Sequence, residues 1–202
     1  MTAMKRILTI ALAAAMVGAA GQAAAEGSVT LFAGYAGTSG IDNVSSGSGA
    51  DVKNAATFGV ALGMPLDASR ELQLTYSQQS TTLSPGGSAA PFDITFRYLH
   101  VGGTVFLDQN IGKGFYAAGG LGATQFSPST LGYGSEVKPS MNLGFGYYLP
   151  LGDRFALRAE ARGYLTFVNS SGGFLCSGGC VAVLKSDAVT QLEARVGLMG
   201  RF

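Results

Sequence analysis

The sequence predicts an all-β fold, an eight-stranded antiparallel up-and-down transmembrane β-barrel. Three observations predict it. Short segments alternate apolar and polar residues with a period of two, the mark of a strand with two unlike faces. Eight such segments occur, an even number. The connections between them alternate strictly between short and long.

The first segment reads as an address rather than as structure. Lys5 and Arg6 precede an apolar run from Ile7 to Ala20, too short to span a bilayer as a helix. Ala23-Ala24-Ala25 supplies the small residues of a signal-peptidase site. Residues 1–25 are therefore expected to be a cleaved signal peptide, and residues 26–202 the barrel domain. The competing reading of residues 1–25 is an uncleaved membrane anchor. No Cys follows the apolar run, so no lipoprotein anchor is indicated.

The strands follow in order. Val29-Leu31-Ala33-Tyr35, Phe58-Val60-Leu62, Leu72-Leu74-Tyr76, Phe92-Ile94-Phe96-Tyr98, Phe115-Ala117-Gly119-Leu121 and Met141-Leu143-Phe145-Tyr147 give the apolar series of the first six. In the seventh, Phe155, Leu157, Ala159, Ala161, Leu165 and Phe167 share one face, and Arg158, Glu160, Arg162, Tyr164 and Thr166 the other. In the eighth, Leu192, Ala194, Val196, Leu198 and Gly200 oppose Gln191, Glu193, Arg195, Gly197, Met199 and Arg201. Short connections fall at Pro65–Ser69, Asp108–Gly114 and Pro150–Arg154. Long polar ones fall at Thr38–Asn54, Gln78–Pro91, Ser127–Lys138 and Asn169–Asp187. Segregation by length fits periplasmic turns and external loops.

Cost decides which face meets lipid. An arginine at the bilayer midplane on the lipid side costs ~2–4 kcal/mol, and Arg158, Arg162 and Arg195 all sit mid-strand. The apolar face is therefore expected to face lipid and the charged face the interior. Aromatic residues gather near the strand ends as interfacial girdles do. Phe106, Phe115, Tyr148, Phe155 and Phe202 lie towards the short turns, and Tyr35, Tyr76, Phe92 and Phe167 towards the long loops.

On this strand count, this loop asymmetry and the terminal Phe202, the chain from Glu26 onward resembles the eight-stranded outer-membrane barrels of the OmpA-like transmembrane type. The resemblance implies residence in the outer membrane of a Gram-negative bacterium, contact with outer-membrane lipid and lipopolysaccharide, and a monomer. It implies that Phe202 belongs to the signal read by the barrel-assembly machinery, with periplasmic chaperones as transient partners. Because the chain stops at Phe202, no peptidoglycan-binding domain is expected. The family spans anchors, adhesins, small pores and lipid-modifying enzymes, so the resemblance fixes no single function.

Composition narrows the chemistry. The 202 residues carry 13 Lys plus Arg, 12 Asp plus Glu, one His and two Cys. That near balance leaves no electrostatic footprint for nucleic acid, and one imidazole and two thiols leave little for a metal centre. No cofactor is expected. The candidate interior charges are Glu71, Asp93, Glu160 and Glu193 with Arg97, Arg158, Arg162, Arg195 and Arg201. They fit either a packed ion-pair network filling a narrow barrel or a narrow gated conduit. Cys176 and Cys180 flank Ser177-Gly178-Gly179 and are expected to form a disulfide in the oxidising periplasm.

His100 follows the fourth apolar series, read as outward, at a point where the alternation slips, and a bulge is the expected cause. Lipid-A-modifying barrels use a His with a Ser or an acid, and no such partner stands beside His100 in sequence. Gly119-Gly120-Leu121-Gly122 lacks the spacing of a nucleotide loop. The reading reached is a non-enzymatic barrel that anchors external loops for surface binding. A narrow pore or hydrophobic-solute channel is the first alternative, and a lipid-A-modifying enzyme centred on His100 the second.

Overall fold

The computed structural model describes residues 27–38, 51–84, 90–129, 134–168, 174–176, 180–182 and 188–202. The expected signal peptide lies outside them. Eight long strands form the wall: β1 (Ser28–Thr38), β2 (Ala55–Pro65), β3 (Arg70–Ser84), β4 (Phe92–Phe106), β5 (Gly114–Pro128), β6 (Glu136–Pro150), β7 (Phe155–Phe167) and β8 (Ala188–Arg201). Each pairs antiparallel with its neighbours in sequence, and β8 pairs with β1 to close the barrel. Closure satisfies every edge, which a sheet in hydrocarbon requires.

The register can be followed once around the wall. Ser28 leads to Gly63, Gln73, Gly102, Gly120, Asn142, Tyr164, Gln191 and back to Thr38. The path returns to β1 ten residues beyond its start. Ten residues of stagger over eight strands tilt them by about 40° and leave an interior that side chains fill. Three short pieces lie outside the wall. Asp51–Val52 pairs with the end of β3, and Phe174–Cys176 pairs with Cys180–Ala182 as a hairpin.

The outward face is the apolar face expected from the sequence on seven strands. Leu143 is 72% exposed, Leu121 69% and Leu31 64%. A contiguous belt of such residues on a closed barrel has lipid, not water, as its solvent. Tyr35, Phe58 and Phe167 stand towards the loop end of this belt, and Phe115, Phe155 and Phe202 towards the turn end.

The fourth strand differs from expectation. Phe96, Tyr98 and His100 point inward and are buried, while Leu99, Val101 and Val105 point outward. No bulge is present, since the register of β4 with β3 and with β5 is continuous. The slip in the sequence has another cause: the solvent outside the wall changes along the strand. Below Leu99 the strand is apolar outside and polar inside, as lipid demands. Above it, Arg97, Thr95 and Asp93 face out, and Phe96 and Ile94 face in, as water demands. Asp93 and Arg97 therefore do not belong to the interior set.

The same change explains a further departure. Strands β3 and β5 continue into the segments read from sequence as loops, because polar outward residues there end the apolar alternation but not the ladder, and β6 starts at Glu136, inside the expected loop Ser127–Lys138. In addition, Phe106 and Tyr148 point inward and are buried, and Phe92 packs against the inner cluster at the loop end, so none of the three is a girdle residue.

Inward glycines make room for the large side chains that cross the narrow lumen. A Cβ on Gly146 would lie 2.5 Å from the Tyr116 hydroxyl oxygen, one on Gly63 2.3 Å from the Glu71 carboxylate, and one on Gly34 2.7 Å from Arg195 Cβ. Small opposite large fills a small barrel without voids. Part of the chain's complement of 31 glycines is accounted for in this way.

Candidate functional site

The interior is layered. At the periplasmic end, Phe106, Tyr116, Tyr148, Met199, Ala118 and Ala156 pack together, with Ile111 against them. The three rings contact one another with centroids 4.9–5.8 Å apart. At the external end, Val52, Leu83, Ile94, Phe96, Phe126, Val168 and Val189 form a second apolar cluster, which includes Tyr98 and Tyr164. Between these two clusters lie the charges.

Glu160 is the hub. It takes Arg158, Arg162 and Arg195 at once, the last at 2.7 Å. Tyr116 donates its hydroxyl to Glu160 and accepts from Arg158 Nε at 2.7 Å. The Arg158 guanidinium also lies over the Tyr116 and Tyr148 rings, at 4.9 and 5.3 Å from their centroids. Glu193 accepts from Thr57 at 2.5 Å and Tyr164 at 2.7 Å, and pairs with Arg195 at 3.7 Å. Glu71 accepts from Ser28 at 3.1 Å and Gln73 at 3.4 Å. Arg162 donates to Asn142 at 2.7 Å.

Two acids, Glu160 and Glu193, thus meet three arginines, while Glu71 is held by neutral donors, and all six side chains are buried. Each such ion costs several kcal/mol to remove from water, so the arrangement holds only because each charge has partners. Arg201 sits apart at the periplasmic rim and donates to the Ile111 carbonyl at 3.0 Å. It lines a recess of about 510 Å³ that also touches Glu71, Asp153 and Arg154.

His100 does have a serine, although not beside it in sequence. Ser140 Oγ lies 2.9 Å from His100 Nε2, reaching from β6 over Gly122 of β5, the residue with which both are in register. Sequence could have suggested it only through the inward phase of β6 combined with the register. Both residues are buried, and His100 Nδ1 has no protein partner among the described residues, so no acid orients the ring. The cavity beside it measures about 10 Å³, room for one water at most. Among the described residues no three His, Cys, Asp or Glu side chains gather as a metal site. The backbone pairs Cys176 directly with Cys180; their side chains lie outside what is described.

A closed eight-stranded barrel, polar inside and banded by apolar residues outside, defines the class: a transmembrane β-barrel of the outer membrane of a Gram-negative bacterium. No family model matches the chain, and no curated protein matches its sequence. Solved structures do match its fold. Neisserial surface protein A, from Neisseria, superposes with a TM-score of 0.60 at 14% identity, over 87% of this chain and 97% of that one. OprG of Pseudomonas aeruginosa matches at 0.49 and 14%, over 89% and 96%. Ail of Yersinia pestis, an attachment invasion locus protein, matches at 0.48 and 17%, over 87% and 99%.

Proposed function

We propose that this protein is a non-enzymatic structural anchor, a plugged barrel that holds its external loops at the cell surface for binding or adhesion. The observation that carries this reading is the interior. An apolar cluster lies towards each end, and the cavity beside His100 in mid-lumen measures only about 10 Å³. An interior so filled favours a plug over a conduit, and the balanced charges within it act as cross-braces between strands. Binding then falls to the connections on the external side.

The test is loop replacement. Exchanging Thr38–Asn54 and Asn169–Asp187 for short turns is expected to leave a folded barrel, seen as different migration of boiled and unboiled samples, and to abolish surface adhesion. Adhesion retained by the shortened barrel would overturn the reading.

Two parts of this proposal have their own checks. The Cys176–Cys180 disulfide is supported by their direct backbone pairing; two free thiols titrated in exported protein without reductant would remove it. The absence of catalysis is supported by the burial of Ser140 and His100 and by the lack of a partner at His100 Nδ1 among the described residues. Replacing His100 is expected to leave lipid A acylation unchanged. Phe202, 58% exposed at the turn end, fits a contact for the assembly machinery.

A further inference from the structure

Above the lipid belt, the outer surface of β3–β5 is polar. On β3, Leu72, Leu74 and Tyr76 give way to Gln78, Ser80 and Thr82. Register places Gln78, Arg97 and Gln125 in one row, and Ser80, Thr95 and Ser127 in the next row outward. Arg97 is central. Its Nε donates to Gln78 at 3.4 Å, and its Nη1 donates to Gln125 at 3.4 Å and Ser127 at 3.1 Å. Tyr76 braces Gln78 with its hydroxyl at 2.9 Å.

No carboxylate pairs with Arg97 among the described residues, unlike Arg158, Arg162 and Arg195 in the lumen. Three neutral acceptors fix the guanidinium, leave its charge uncompensated and leave both Nη2 hydrogens unused. A fixed guanidinium edge with two free N–H groups matches a phosphate. Its height selects the phosphate's source. Leu99, two residues below on the same face, is 53% exposed to lipid, and two residues of tilted strand rise about 5 Å. Arg97 therefore lies in the headgroup layer of the outer leaflet.

We propose that Arg97, held by Gln78, Gln125 and Ser127, binds a phosphate of the lipid A headgroup, with Ser80 and Thr95 facing its sugar hydroxyls. The site lies on the wall, and it stands whether or not the loops carry adhesion.

The experiment titrates full-length refolded protein in detergent with bisphosphorylated lipid A, dephosphorylated lipid A and phosphatidylglycerol, counting bound lipid by native mass spectrometry. Wild-type protein is expected to retain bisphosphorylated lipid A at least tenfold better than either other lipid. Arg97→Gln is expected to lose that preference, and Arg97→Lys to restore part of it, in barrels shown folded by gel migration. Equal retention of the dephosphorylated form, or a full preference kept by Arg97→Gln, would overturn the phosphate site. Equal retention of phosphatidylglycerol would overturn its assignment to lipid A. The comparison among lipids needs no variant, so a misfolded Arg97→Gln leaves the proposal open to refutation.

Discussion

Glu160 takes three guanidinium groups inside a wall that excludes water. Removing its charge leaves Arg158 and Arg162 buried without a carboxylate and Arg195 with Glu193 alone, so Glu160→Gln is expected to cost about 3–5 kcal/mol, read as a lower urea midpoint for the folded gel form. Glu193 has two neutral donors besides Arg195, so Glu193→Gln is expected to lower the midpoint by less. An equal midpoint for wild type and Glu160→Gln would mean the cluster is not a brace. Outside the membrane, Asp67 in the β2–β3 turn accepts from the backbone N–H of Ser69, the Arg70 side chain and the Ser69 hydroxyl, which hold its carboxyl down at about 2. A carboxyl lowered by folding stabilises above its ordinary value of 3.8 and ceases to do so as pH falls towards 2. Asp67→Asn is therefore expected to flatten the loss of stability between those two values; an unchanged pH profile would contradict the role given to this turn.

At the scale of the strand, the decisive feature is the change of outer solvent along β3–β5. It predicts opposite tolerance on one face of one strand. Leu74→Arg, in the lipid belt, is expected to destabilise by ~2–4 kcal/mol, depending on depth. Thr82→Arg, eight residues further and beside Asp93, is expected to change stability by no more than about 0.5 kcal/mol. Equal costs would place both positions in the same medium. This feature also marks where sequence reading stops. Period-two alternation identified all eight strands, and it assigned the outward face correctly wherever lipid bathes the whole apolar run. On β4 the rule that apolar faces outward fails midway, because alternation reports only that two faces differ, not which solvent lies outside. Asp93 and Arg97 were misplaced for that reason, and Phe106 because nearness to a strand end does not say which face a side chain is on. Glu160, Arg158, Arg162, Glu193 and Arg195 were legible because charge on a mid-strand inward face admits one placement. Ser140 beside His100 was not legible, because their contact over Gly122 is set by the register of β4, β5 and β6.

The whole molecule is a closed wall around a filled interior, with one apolar cluster beneath the charges and another above them. The wall passes the lipid belt along β3–β5, which gives the barrel a polar outer surface there and places Arg97 at its foot. In the proposed anchor, rigidity would come from the lumen, orientation from the belt, and recognition from the external side. The central claim is that the lumen is a brace and not a passage. Single-channel recording of protein refolded into a planar bilayer tests it most directly, with folding verified by gel migration. A silent bilayer at all applied voltages is the predicted result. Discrete, reproducible openings, altered when Arg158 or Glu193 is replaced, would contradict it and make the buried charges the lining of a pore.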